Sequence, residues 1–135
     1  VIVATASPLA KLEAISWREA GHLPLCLLSR DMQNRRIIDR HLEDAGGARE
    51  PMLESNSLFL LYAHVRLGDW ASIIPARFVE ALEEPGSLKA IPLTEPVVAR
   101  QIGLVMEKRD LHSPLLEALK AQARRIAGQL ALVPP

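Results

Sequence analysis

The chain has 135 residues and a mass of 14.9 kDa, enough for one ordinary domain that buries roughly two thirds of its unfolded surface without disulfides or a structural metal. Hydrophobic residues make up 49% and charged residues 24%, a globular composition that excludes a disordered or fibrous chain. Sixteen basic residues balance sixteen acidic ones, and a net charge of zero argues against direct DNA contact by this stretch of chain.

Hydrophobic periodicity splits the chain into alternating strands and helices, the pattern of an α/β domain. Val1 to Thr5 reads as a strand, and a start on valine rather than methionine suggests a fragment or processed form. Ser16 and Glu19 form a capping-box pair, so a short helix should run from there to about Gly21. Leu25 to Leu28 has no polar alternation and reads as a strand covered on both faces. Its Cys26 is the sole cysteine; it excludes a disulfide framework, fits a reducing compartment and is expected to be a small buried hydrophobe. Met32 to Ala45 carries Ile38, Leu42 and Ala45 at helical spacing, with Gly46 where a left-handed cap belongs. Pro51 to Glu54 is a short strand leading into Ser55, Asn56 and Ser57, which favour helix N-caps. A helix follows to Leu67 on Leu58, Leu61, Tyr62 and Val65, with Gly68 as its terminator. Trp70 to Ile74 reads as a strand stopped by Pro75, Ala76 to Leu82 as a short helix, and Pro85-Gly86 as a turn. Leu88 to Leu93 and Gln101 to Met106 read as strands on either side of the loop Thr94 to Pro96. Ser113 before Pro114 opens a last helix to about Leu130.

Chemistry-bearing patterns are sparse. His22, His41, His64 and His112 have no Cys or His neighbours at metal-ligand spacing and read as surface or helix-end histidines. There is no phosphate-binding glycine loop and no nucleophile elbow, so no catalytic residues, metal or cofactor are expected. No apolar run approaches the roughly 20 residues needed to span a bilayer, and no basic segment precedes a signal-like core. Two polar turns stand out. Ser29-Arg30-Asp31 follows one strand and Ser55-Asn56-Ser57 the next, each opening a helix. In a parallel sheet, ligands bind beyond the carboxyl ends of strands, where helix N-termini favour anions. Periodicity alone favours reading Ser29, Asp31 and Ser55 as simple caps. Arg30 is harder to explain that way, because its forked donors suit a carboxylate or phosphate. Arg36 and Arg40 lie one turn apart and read as a solvated face paired to Asp39, Glu43 or Asp44. In the last helix Leu115, Leu116, Leu119, Ala123 and Ile126 form an apolar stripe that requires cover.

The order of these segments resembles the effector-binding region of LysR-type transcriptional regulators along essentially the whole chain. The carriers are Ser7-Pro8-Leu9 after the first strand, the run from Pro24 to Arg30, the helix ending at Gly46, and Leu53 to Ser57. They continue with Val65 to Pro75, Ile91-Pro92-Leu93, Ile102 to Val105 and Ser113-Pro114-Leu115. No single motif is diagnostic; order and spacing together carry the likeness. The chain departs from a usual member in the extra Gly46-Gly47 pair and in Trp70, which stands where glycine is common.

The resemblance implies a Rossmann-like subdomain of a two-lobed, periplasmic-binding-protein-like (type 2) fold. Residues 1–6 would be a crossing strand from an incomplete first subdomain, 7–100 the complete second subdomain, and 101–135 the returning strand and C-terminal helix of the first. Val1 to Thr5 would then lie antiparallel beside Gln101 to Met106. The effector cleft would be lined by Ser29, Arg30, Ser55, Asn56, Ile74 and Pro75, with Thr5 and Ser7 at the hinge. The implied protein is a cytoplasmic, non-enzymatic sensor of a small, anionic effector, with no cofactor and no membrane contact. It would be a homo-oligomer that meets DNA only through a separate N-terminal winged helix-turn-helix, and the uncovered last helix would drive self-association. The rival readings are a lobe of a solute-binding protein, which a signal peptide in the full gene would mark, and a fragment of a small α/β transferase or hydrolase.

Overall fold

The computed structural model describes residues 1–75, 78–79, 86–98, 103, 105–106 and 113–131. The chain divides into two compact units, Val1–Val98 and Ala99–Pro135.

In the first unit the strands are β1 (Ile2–Ala4), β2 (Ile15–Ser16), β3 (Cys26–Leu28), β4 (Leu53–Ser55), β5 (Ala71–Ser72), β6 (Leu88–Ala90) and β7 (Leu93–Thr94). The helices are α1 (Trp17–Ala20), α2 (Gln33–Asp44) and α3 (Leu58–Leu67), with a 3-10 turn at Pro8–Lys11. β1 is the middle strand of a three-stranded antiparallel sheet, β5-β1-β6. β3 and β4 pair in parallel. A parallel bridge between Leu25 and Ala71, with the Ala71 amide donating to the Pro24 carbonyl at 3.1 Å, joins the two groups into the order β4-β3-β5-β1-β6. β2 and β7 form a separate parallel pair.

The core follows from strand alternation. Leu25 and Leu27 point into a cluster with Trp17, Ile38 and Leu42, whereas Cys26 and Leu28 point the other way, onto Leu61 of α3. The sheet is thus covered by α1 and α2 on one face and α3 on the other, as its unbroken apolar strand requires. Cys26 is buried, and burial pushes its thiol pKa up, so it behaves as an inert hydrophobe. Each buried leucine or isoleucine of this kind stabilises by roughly 1.5–3 kcal/mol.

Local chemistry sets the helix ends. At α1 the capping box is complete: the Glu19 amide donates to Ser16 Oγ at 3.2 Å, and the Ser16 amide donates to Glu19 Oε2 at 2.9 Å. Hydrogen bonds from the Ser16 hydroxyl and amide hold the Glu19 carboxyl below its ordinary pKa. At the end of α2, Gly46 adopts φ +67°, its amide donates to Glu43 O and the Gly47 amide to Leu42 O, both at 2.9 Å, a Schellman termination. α3 stops at Gly68, as expected, but with that glycine in extended backbone at φ −166°.

The bounds of three expected strands change. Leu88 to Leu93 is not one strand. The chain breaks between Ala90 and Leu93, so β6 pairs with β1 and β7 with β2; Pro92 has no amide to continue a ladder. The strand expected at Trp70 to Ile74 is confined to Ala71–Ser72, and that expected at Pro51 to Glu54 moves forward to include Ser55. β1, expected to cross from another subdomain, has β5 on one edge and β6 on the other across Ile2 and Val3. Its expected partner, Gln101 to Met106, lies outside the described residues except for Gly103, Val105 and Met106, which are not in strands. The helix expected at Ala76 to Leu82 also lies outside them, apart from Phe78 and Val79, which pack on Ile2, Val65 and Ile74.

In the second unit α4 (Pro114–Ala131) starts where Ser113 and Pro114 place it, with the Leu116 amide 3.4 Å from Ser113 Oγ. Leu115, Leu119 and Ile126 are exposed.

Gly47 is packed rather than merely flexible. A Cβ there would lie 2.7 Å from Arg18 O and 3.0 Å from Arg18 Cα, whereas one at Gly103 meets nothing within 4 Å. Gly47→Ala is expected to lower the free energy of unfolding by about 1–3 kcal/mol, and Gly103→Ala to change it by less than about 0.5 kcal/mol. Urea titration of both variants checks this; equal losses would remove the steric explanation.

Candidate functional site

β3 and β4 end together. Their register pairs Leu28 with Ser55, and the Ser29 amide closes the ladder by donating to Ser55 O at 2.9 Å. Because β5 runs parallel to β3 from the Leu25 to Ala71 bridge, the chain after β5 reaches the same sheet edge at Ile74 and Pro75. Ser29, Arg30, Ser55 and Asn56 therefore sit on two adjacent loops, with Pro75 at the third strand end.

These residues differ in what they offer. Asn56 and Pro75 are exposed. Ile74 is buried against Ile2 and Val65, so its side chain belongs to the core. Ser55 Oγ accepts from the Ser57 amide at 3.1 Å, and Ser57, not Ser55, caps α3 through its hydroxyl. Neither Ser29 nor Asp31 caps α2. That helix begins at Gln33, and its N-cap is Met32, which makes no side-chain capping bond. A turn from Ser29 O to the Met32 amide at 3.0 Å delays the helix start. The Ser29 hydroxyl oxygen is buried and has no hydrogen-bond partner among the described residues. Such a group is costly to leave unpaired.

Thr5 and Ser7 lie elsewhere. β1 runs antiparallel to β5, so its carboxyl end is level with the start of β5, at the opposite edge of the sheet from Ser29 and Ser55. There Thr5 Oγ1 donates to Gly86 O at 2.8 Å, and Ser7 Oγ accepts from the Leu9 amide at 3.3 Å to open the 3-10 turn.

The charged groups form a network. Arg30 Nη2 lies 2.7 Å from both carboxylate oxygens of Glu50, and its Nε lies 3.8 Å from Glu54 Oε1. Hydrogen bonding to Glu50 raises the Arg30 pKa above its ordinary value. Beneath it, Arg35 is only 1% exposed. Arg35 Nη1 donates to Leu28 O at 2.7 Å and to Glu54 Oε1 at 2.6 Å, and its Nε donates to Asp39 Oδ1 at 2.7 Å. Burial opposes the Arg35 charge, but the bonds to Asp39 and Glu54 more than offset it, and its pKa is raised.

Asp39 was expected to pair with Arg36 or Arg40; Arg35 holds it instead. Arg36 reaches the Asp31 carbonyl at 3.2 Å, and Arg36 and Arg40 are exposed, as a solvated face requires. The sequence did carry a signal for Arg35. It shares a helical stripe with Ile38 and Leu42, and a charge on an apolar stripe with a carboxylate at i+4 marks a buried pair. Among the described residues, no group of His, Cys, Asp and Glu could hold a metal ion, and no helix is long and apolar enough to cross a membrane.

This arrangement, an α/β sheet whose parallel strands end together at polar loops, defines a ligand-binding class of domain. The pattern that defines the LysR substrate binding domain matches residues 1–127. The chain belongs to that family, whose members are ligand-sensing regulatory domains of transcriptional regulators with a periplasmic-binding-protein-like type 2 fold. It is 30% identical over 115 residues to a probable nitrogen assimilation transcriptional activator of Synechococcus elongatus, covering 84% of this chain and 37% of that protein. It is 27% identical over 110 residues to the uncharacterized HTH-type transcriptional regulator YbhD of Escherichia coli, covering 82% of this chain and 34% of that protein. The chain thus spans about a third of the length of these curated relatives.

Removing Arg35 leaves two carboxylates and a carbonyl without their donor. Arg35→Ala is expected to cost about 3 kcal/mol, the lower end for breaking a buried pair, because Asp39 and Glu54 are partly exposed and can rehydrate. Arg36→Ala should cost less than about 0.5 kcal/mol. Thermal and urea unfolding of the two variants compares them; a cost for Arg35→Ala as small as for Arg36→Ala would show that the network adds nothing to stability.

Proposed function

We propose that this chain is the effector-sensing part of a LysR-type transcriptional regulator and that it binds a small anionic effector where β3, β4 and β5 end. The observation that carries the reading is the shared strand end, with the buried, unpartnered Ser29 hydroxyl on the same loop as the exposed Arg30. Ser29 would hydrogen-bond the effector, Arg30 would face its charge, and Asn56 and Pro75 would border it. The first unit would serve as a Rossmann-like lobe of a two-lobed fold, with the rest of the cleft supplied by a second lobe. The protein works without chemistry of its own: effector binding changes DNA binding by a winged helix-turn-helix elsewhere in the full-length, cytoplasmic regulator.

Metabolite screening by thermal shift on the full-length protein tests this. A ligand at a hundredfold excess over its Kd stabilises the native state by about 2.7 kcal/mol, which a melting curve registers. At least one small acid should do so, and Ser29→Ala and Arg30→Ala should each weaken the shift. If no small acid moves the melting temperature and Arg30→Ala leaves the promoter response intact, the anion reading fails.

Homo-oligomerisation through α4 belongs to the same proposal. Leu115, Leu119 and Ile126 are exposed along that helix, and apolar stripes of this kind favour association. Sedimentation of the 135-residue chain at several concentrations should show self-association that Leu119→Lys with Ile126→Lys abolishes. A wild-type chain that stays monomeric at every concentration would refute it.

A further inference from the structure

Arg30, the cation that the residues named for the proposed site offer an anion, is not free. Its Nη2 already holds both oxygens of Glu50 at 2.7 Å, the geometry an effector carboxylate would adopt. The two acids beside Arg30 are held differently. Glu54 is fixed from below by the buried Arg35 at 2.6 Å. Glu50 is 81% exposed in its side chain, and among the described residues Arg30 is its one partner. It stands on the loop between Gly47 and β4, which is itself fixed to the sheet by the Met52 amide donating to Leu25 O at 2.8 Å.

Resting on the effector-site reading above, we infer that Glu50 is a resident competitor: an anionic effector takes Arg30 by exchange, displacing the Glu50 carboxylate. The exchange is physically cheap. Exposed ion pairs are weak because water screens them and because two long side chains lose rotamer freedom in holding one geometry. Glu54 does not exchange, since leaving would take one of its two carboxylate partners from the buried Arg35 guanidinium. Glu50 therefore sets the concentration at which the site responds without touching the ligand.

Glu50→Gln removes the competing charge and keeps the shape of an exposed side chain. Calorimetric titration of the full-length protein with succinate and with inorganic phosphate is the test. In Glu50→Gln, binding should tighten about two- to fivefold, the range an exposed ion pair supports, and Arg30→Gln with Glu50→Gln should show no such gain, because the effect acts through Arg30. If the anions bind wild type and Glu50→Gln equally, the competitor role is overturned while the effector site stands. A gain that persists in the double variant also overturns it, since the effect is then general electrostatics. If neither anion binds wild type or Glu50→Gln, the exchange is overturned, and the metabolite screen alone decides the effector reading.

Discussion

The buried guanidinium of Arg35 is the point on which the polar edge of the sheet, where β3 and β4 end, depends. It donates to the last carbonyl of β3, to the Glu54 side chain on β4 and to Asp39 on its own helix. One side chain thus fixes the ends of two strands and the start of α2 relative to each other. Parallel strands cannot be tied by a tight hairpin, and the residues between β3 and β4 include a whole helix. A multidentate donor under the loops supplies the positional constraint that chain connectivity does not. Hydrophobic packing of Ile38 and Leu42 alone would place α2 on the sheet, but would leave its rotation and its first turn less defined, because packing is not directional.

Much of the fold was legible in the sequence where local rules decide. Ser16 with Glu19, Gly46 after a periodic run, and an unbroken apolar Leu25 to Leu28 each name their own conformation. The misread elements are those decided by distant partners. Leu88 to Leu93 looks like one strand until β1 claims the first half and β2 the second. Neither Ser29 nor Asp31 caps α2, because a turn from Ser29 to Met32 intervenes, and that turn is anchored by β4. The burial of Arg35 depends on Glu54, 19 residues away.

The polar loops show the same division. Ser29, Arg30, Ser55 and Asn56 were readable as neighbours from the alternation of strands and helices. Which of them is satisfied by the protein itself was not. Ser55 is occupied by the Ser57 amide and Arg30 by Glu50, whereas the Ser29 hydroxyl is buried and unpartnered. Ser29 and Ser55 are alike in the sequence and opposite in their capacity to receive a ligand, and the difference lies in hydrogen-bond geometry rather than in residue type.

The central position of β1 bears on how the polypeptide matures. Its neighbours are β5 and β6, so this strand, made before both, finds its partners only near residues 71–72 and 88–90. At roughly 5–20 residues per second, an emerging chain exposes Ile2 and Val3 for several seconds before either edge is filled. β3, α2 and β4 are closer in sequence and can associate earlier, since the loop to be closed is shorter. Assembly of this unit is then an insertion: a β3–α2–β4 segment can form first, and β1 slots between β5 and β6 once both have been made. Until it does, its unpaired edges are open to pairing with another chain.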